Sequence, residues 1–381
     1  MSNEKKQIPM FSPTRHLNEK KDVYMKHLNS VLEHGYFING PEISELEDKL
    51  SNYVGTKHAI AVSSGTDALL VSLMALNIGP SDEVVTIPFT WISTAEVIRL
   101  LGAKPVFCDI DKDTFNMDTL SLRNAITEKT KVVMPVSLFG QIYDVEGVQT
   151  VVWEAEKRYG HKIYIIEDAA QSFGSLDSKN RKSCSVGDIG CTSFFPSKPL
   201  GCFGDGGMCF TDNDEIGTKI RMIKSHGCLK RYDYKCIGIN GRLDTIQAAI
   251  LLAKFPDFEI SVKKRIENGE AYDKAFSDLP FQTPVKDTQC NRHVYAQYTI
   301  ILNDEKTCND LLAYLKSEKI GCGKFYPVCL HLVDAVTTDY EPGSLPVSET
   351  LSKRVLSLPV YSELTNVERN IVIETVHSFF K

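Results

Sequence analysis

No apolar run in the chain approaches the roughly 20 residues of a membrane-crossing helix, so no such span is expected. Basic runs are also missing. The 43 lysines and arginines are outnumbered by 49 aspartates and glutamates, for a net charge of −6. That balance argues against a nucleic-acid-binding surface and against a polybasic membrane anchor. Cysteine is sparse for a disulfide framework, with 11 in 381 residues, and the number is odd. Neither C-x-x-C nor H-E-x-x-H occurs, which argues against structural zinc and dithiol redox sites. The first residues, running through Pro9 and Pro13, lack the apolar stretch of a secretory signal. Internal repeats and low-complexity tracts are absent as well. The expectation is a soluble, reduced, cytoplasmic protein with no nucleic-acid or membrane partner.

What is present is ordinary globular composition, 43% apolar and 24% charged. The length favours two domains and is ample for a large core. Five short apolar runs read as strands: His58–Val62, Glu83–Ile87, Pro105–Cys108, Val132–Val136 and Ile163–Ile166. Between them lie amphipathic stretches such as Ala68–Leu76, Ala95–Leu101 and Val145–Arg158. This alternation predicts an α/β fold with a mainly parallel sheet covered on both faces. Ligands of such sheets sit beyond the carboxyl ends of the strands. Further on, Leu243–Lys254 reads as an apolar helix, and Ile260–Phe276 as a charged connector helix. Val294–Leu302 alternates like a strand, and Asp304–Leu315, Gly321–Tyr326 and Asn366–Phe380 complete a smaller α+β unit. The expected division is 1–255 and 256–381.

Five segments at the strand ends carry chemistry. Ser63-Ser64-Gly65-Thr66-Asp67 opens a helix, where free N–H groups and the helix dipole favour an anion; an ordinary N-cap is the alternative. Glu167-Asp168-Ala169-Ala170-Gln171 places a carboxylate at a strand end, where burial would demand a cationic partner; here too a plain N-cap competes. Ser193-Phe194-Phe195-Pro196-Ser197-Lys198 sets a lysine among aromatics and prolines, and a glycine-rich run follows. A lysine held there can lose its proton near neutral pH and attack a carbonyl, whereas a surface lysine would simply snorkel. Trp91 follows another strand and can stack on a flat ring or pack in the core. Asn240-Gly241-Arg242 opens the helix at Leu243, where a salt-bridged cap is the alternative. An anion cup, a stacking surface, a carboxylate and an activated lysine are together the four needs of pyridoxal 5'-phosphate.

The segments TSFFPSKPLGCFGDGG (192–207), EDAAQSFGS (167–175), RLDTIQAAILL (242–252) and VYAQYT (294–299) resemble the DegT/DnrJ/EryC1/StrS sugar-nucleotide aminotransferases. The resemblance runs over nearly the whole chain. It implies the fold type I architecture of pyridoxal-phosphate enzymes, a mainly parallel seven-stranded sheet sandwiched by helices, with a smaller C-terminal domain. It also implies Lys198 as the Schiff-base lysine and Asp168 as partner of the pyridine nitrogen. Gln171 would contact the ring hydroxyl side, Trp91 would stack on the ring, and Gly65, Thr66 and Ser193 would hold the phosphate. Asn240 would reach the phosphate of a neighbouring subunit, which requires a homodimer with active sites at the interface. Arg242, Phe325 and Tyr326 would face the substrate. Family members often carry His-Tyr-Pro where this chain has Phe325-Tyr326-Pro327, so Phe325 departs from the pattern.

The implied reaction moves an amino group from L-glutamate to a keto sugar nucleotide. The favoured branch aminates carbon 3 of UDP-2-acetamido-2-deoxy-3-oxo-D-glucuronate for surface polysaccharide. A dTDP- or UDP-linked 3- or 4-keto-6-deoxy sugar is the alternative substrate. A sugar dehydratase of the same fold carries histidine in place of the lysine, so Lys198 argues against it. A non-catalytic relative would usually have lost Lys198 or Asp168.

Overall fold

The computed structural model describes residues 7–337 and 339–381. Its strands, in chain order, are β1 (His58–Val62), β2 (Glu83–Thr86), β3 (Lys104–Phe107), β4 (Thr130–Met134), β5 (Tyr164–Asp168) and β6 (Leu176–Asp177). They continue with β7 (Ile189–Ser193), β8 (Gly207–Thr211), β9 (Phe281–Gln282), β10 (Cys290–Arg292), β11 (Tyr298–Leu302) and β12 (Val355–Leu358). Seven of them form one sheet in the order β1-β8-β7-β5-β4-β2-β3. The pairs β3–β2, β2–β4, β4–β5 and β5–β7 are parallel. Strand β8 is antiparallel to both β7 and β1, so it alone runs against the rest.

The apolar runs are continuous because both faces of this sheet are covered. Val84, Val132 and Ile166 join one core with the helices Gly65–Ala75, Ser93–Leu100 and Asp214–Ile223. Their neighbours Val85, Val133 and Ile165 point to the opposite core, under the helix Val145–Tyr159. Successive side chains of a strand alternate in this way.

Several expected elements shift by a few residues. The run expected at Ile163–Ile166 is β5, Tyr164–Asp168, so Asp168 is the last residue of the strand rather than the start of a following loop. The run expected from Val132 begins at Thr130, and that expected at Val294–Leu302 is extended only from Tyr298. Gly321–Tyr326 contributes only an isolated bridge, Gly323 to Ser357. Strands β7 and β8 escape the apolar-run criterion because Gly190, Thr192, Ser193 and Gly207 dilute them. Three helices precede β1, at Pro13–Glu19, Lys21–His34 and Pro41–Val54.

A second, antiparallel sheet, β12-β11-β9, packs with the helices Glu305–Ser317 and Asn366–Phe379 around Tyr298, Ile300, Leu311, Leu356 and Val372. The helix Phe258–Ala275 joins the two cores. Phe258 and Val262 lie in the large one and Tyr272 in the small one. Ile8 also belongs to the small core. Its N–H donates to the Lys319 carbonyl at 3.0 Å, and its carbonyl accepts from Gly321 at 2.7 Å. Ile8 is thereby fastened to the Lys319–Gly321 segment of the C-terminal part. No described helix is long and apolar enough to cross a membrane.

Candidate active site

The alternation of β5 separates its two carboxylates. Glu167 turns into the protein, where the hydroxyls of Ser137 and Ser183 donate to it at 2.6 and 2.7 Å and the Cys184 N–H at 2.7 Å. It is a satisfied interior acid. Asp168 takes the other direction and accepts from the Thr94 hydroxyl at 3.0 Å and the Ala170 N–H at 3.1 Å. Burial pushes its carboxyl above the usual range, while the Ala170 N–H, the Lys198 charge and the Thr94 hydroxyl each pull it back.

Lys198 sits on the loop that follows β7. Burial lowers its ammonium below the ordinary lysine range, and Asp168 is the acid that opposes the shift. Each group therefore feels the other across a poorly solvated space. The loop closes on itself: Lys198 N–H donates to the Phe195 carbonyl at 2.9 Å, and Cys202 N–H to the Phe194 carbonyl at 2.8 Å. Gly201 permits the closure, since a Cβ there would lie 2.6 Å from the Pro196 carbonyl oxygen. A second lysine, Lys254 on the helix Thr245–Lys254, pins the loop from below. Its Nζ donates to the Gly201 carbonyl at 2.5 Å and lies 4.7 Å from the Phe203 ring centroid.

The end of β7 also touches the expected anion cup. Ser64 caps the helix Gly65–Ala75 through the Asp67 N–H at 3.0 Å. Gly65 lies so close to β7 that a Cβ would stand 2.7 Å from the Ser193 Cβ, so only glycine lets the helix start approach Ser193. The Thr66 hydroxyl is 2.7 Å from that of Ser93, at the start of the next helix. Gly65, Thr66, Ser193 and Ser93 thus gather three hydroxyls at a helix N-terminus.

A cleft opens beside Lys198. Gln171, Ser197, Lys198, Phe325 and the early residues Met10 and Phe11 line it. Gln171 is fixed at both ends of its amide, accepting from the Phe139 N–H at 2.8 Å and donating to the Tyr326 hydroxyl at 2.9 Å. That bond ties the end of β5 to the C-terminal unit.

Lys198, Asp168, Gln171, Phe325 and Tyr326 are therefore brought together, and Gly65, Thr66 and Ser193 converge beside them. Three expected residues do not line the cleft itself. Trp91 is 63% exposed, whereas its neighbour Phe89 is in the core. Asn240 is exposed, and Arg242 is partly buried with an Nε that finds no partner. Both flank Gly241, whose carbonyl accepts from the Ser63 N–H at 2.9 Å. Sequence reading missed Thr94, Ser93 and Lys254, whose signals are ordinary helix residues until the fold places them.

The sequence profile of the DegT/DnrJ/EryC1/StrS aminotransferases matches residues 18–377. The chain belongs to this family. It is 43% identical over 352 residues to the UDP-2-acetamido-2-deoxy-3-oxo-D-glucuronate aminotransferase of Pseudomonas aeruginosa, covering 92% of this chain and 94% of that one. It is 36% identical to the UDP-N-acetyl-3-dehydro-alpha-D-glucosamine 3-aminotransferase of Acidithiobacillus ferrooxidans, covering 94% of each. A DegT/DnrJ/EryC1/StrS aminotransferase from Brucella abortus superposes with a TM-score of 0.89 at 37% identity, over 96% of this chain and 97% of that one.

As a member of this aminotransferase family the protein is an enzyme that uses pyridoxal phosphate. The residues present fit that cofactor. There is a helix start that Gly65 lets approach the Ser193 hydroxyl, a buried carboxylate with no bonded cation among the described residues, and a lysine whose charge is disfavoured by its surroundings.

Lys254 gives this site a measurable signature. Burial pulls it down to about 8 from its ordinary value of 10.5. Between those values the unfolded chain binds more protons than the folded one, so stability rises with pH across the window. The melting temperature of the wild type relative to Lys254→Met should climb between about pH 8 and 10.5. A difference that stays flat with pH would mean that Lys254 does not hold its charge against the loop.

Proposed function

We propose that the enzyme transfers the amino group of L-glutamate to carbon 3 of UDP-2-acetamido-2-deoxy-3-oxo-D-glucuronate. It would do so in the cytoplasm as a homodimer, supplying a diamino sugar for surface polysaccharide such as the O-antigen of lipopolysaccharide. The observation that carries the transamination chemistry is the pairing of a buried Asp168 with a charge-disfavoured Lys198 at one strand end. The likeness to the Pseudomonas and Acidithiobacillus enzymes supports the UDP-linked 3-keto sugar.

In this reading Gly65, Thr66 and Ser193 receive the cofactor phosphate, and Trp91 covers one ring face. Gln171 stands at the ring hydroxyl side. Asp168, ionised, would hold the protonated pyridine nitrogen, whose positive charge would offset the cost of burying the carboxylate. Pyridoxal phosphate, when bound, would supply the electron sink that makes the donor's α-carbon acidic. Lys198 Nζ, when neutral, would serve as the base that takes the α-proton and as the acid that returns it. This is general base and then general acid at one nitrogen. Its lowered proton affinity suits both roles. The keto sugar then occupies the space the donor has left, and the same lysine runs the steps in reverse, so ping-pong kinetics are expected. Phe325 presents an apolar ring to the cleft. That favours a 6-deoxy keto sugar as the second reading, and a panel of keto sugar nucleotides separates the two.

Addition of L-glutamate to the cofactor-loaded enzyme should convert the aldehyde-form absorbance to that of the amine form. Lys198→Ala should abolish the conversion, and Asp168→Asn should slow it by about 10²-fold or more. Conversion by Lys198→Ala at a near-normal rate would remove the lysine from its role.

The homodimer is supported by exposed apolar side chains on the segment that leads to Asn240 and on an earlier one. Tyr36 and Phe37 are 65% and 48% exposed, and Tyr232, Tyr234 and Ile237 are 73%, 61% and 86% exposed. Large apolar side chains left in solvent favour a partner surface. Asn240 would cross it to the partner's phosphate. Mixing inactive Lys198→Ala dimers with Asn240→Ala dimers under subunit exchange should then restore about a quarter of wild-type activity, because one mixed site regains both residues. No restoration would place Asn240 in its own subunit's site.

A further inference from the structure

Arg265 is the buried charge that the chemistry above leaves without a use. It lies on the helix Phe258–Ala275, is 4% exposed, and lines the same cleft as Lys198. A guanidinium cannot shed its charge in a protein, so burial here must be compensated. Compensation is absent from the described residues. Arg265 Nη1 makes one long hydrogen bond, 3.5 Å to the Tyr295 carbonyl, and its Nε has no partner. The nearest acidic influence is Glu363, which forms no ion pair with it. A half-satisfied buried cation is strongly unfavourable in general. The buried Lys224, by contrast, bonds Glu47 and the Ala61 carbonyl at 3.3 and 2.7 Å.

Two further residues that line the cleft carry polar atoms with no partner among the described residues. They are the Tyr361 hydroxyl, on a side chain 1% exposed, and Gln297 Oε1. A carboxylate accepts from a guanidinium and from a phenol, and an adjacent ammonium or hydroxyl donates to an amide oxygen. A cation with two such neighbours, in the same cleft as the reactive lysine, matches a molecule that carries a carboxylate beside an amino or hydroxyl group.

We propose that Arg265, with Tyr361 and Gln297, is the carboxylate-anchoring subsite of the cleft, and that it orients the amino donor's carboxylate while Lys198 acts on its α-carbon. This rests on the reaction proposed above, and the sugar's own carboxylate is the other source of the same chemistry. Both half-reactions use one cleft, so one anchor serves whichever partner brings a carboxylate. Phe325 then need not carry that duty, and the apolar residue at its position is accounted for.

The test uses the cofactor-loaded enzyme, Arg265→Gln and Arg265→Lys. Single-turnover conversion to the amine form is followed with L-glutamate and with 1-phenylethylamine, an amine that lacks a carboxylate. For Arg265→Gln the glutamate concentration at half-maximal rate should rise about 10- to 100-fold, the value of a charged hydrogen bond. The maximal rate should change far less, Arg265→Lys should recover part of the loss, and the amine should react as with wild type. Equal slowing for both amines would reduce Arg265 to a structural role and overturn the proposal, as would an unchanged glutamate response. The second arm compares the 3-keto sugar nucleotide with and without the uronate carboxylate. A loss confined to the uronate would assign the anchor to the sugar and overturn its role toward the donor. Calorimetric binding of glutarate, an unreactive dicarboxylate, should be lost in Arg265→Gln. Wild-type enzyme that binds glutarate but leaves glutamate unreacted would contradict the glutamate donor while upholding the subsite. Wild type that does not bind glutarate would overturn the subsite.

Discussion

Two opposite charges held in a poorly solvated space at one strand end organise this molecule. Asp168 is pushed toward its neutral form and Lys198 is pulled away from its charged one, and burial is the leading cause of both shifts. Neither is comfortable alone. The sheet supplies the position of the first, since β5 ends there with Asp168 bonded to Thr94 and Glu167 to Ser137. The loop after β7 supplies the second, and its closure depends on Gly201, the Cys202 N–H and Lys254. A cofactor with a cationic ring nitrogen and a reactive aldehyde relieves both groups together.

The surroundings follow from that need. The helix Gly65–Ala75 must start close to β7 for its N–H groups to reach an anion beside the ring, and Gly65 permits the approach. The C-terminal unit must close over the lysine, and the Gln171–Tyr326 bond connects it to the end of β5. Early residues of the chain complete the wall, because Ile8 is fastened to the Lys319–Gly321 segment and brings Met10 and Phe11 with it.

Much of this was legible in the sequence, and the physical reason differs from part to part. Buried parallel strands announce themselves as apolar runs, so β1 matches its expected range residue for residue and β2 to within one residue. Lys198 stood out because aromatics, prolines and glycines surround it, a setting that a solvated lysine does not need. Strands β7 and β8 were hidden by the small residues that allow close packing at the site. The Gln171–Tyr326 contact joins residues 155 positions apart, which no local pattern reveals. Arg265 sits in Lys263-Lys264-Arg265-Ile266-Glu267, which reads as a solvated helix face. Only tertiary packing shows that it is buried while Lys263 remains 79% exposed.

The central claim is that Lys198, and no other lysine, bonds to the cofactor. Borohydride reduction of the cofactor-loaded protein makes that bond permanent, and peptide mass spectrometry then locates it. The account predicts a single modified site at Lys198, with labelling lost in Lys198→Ala. Modification at Lys224 or Lys254, or at no lysine, would contradict it.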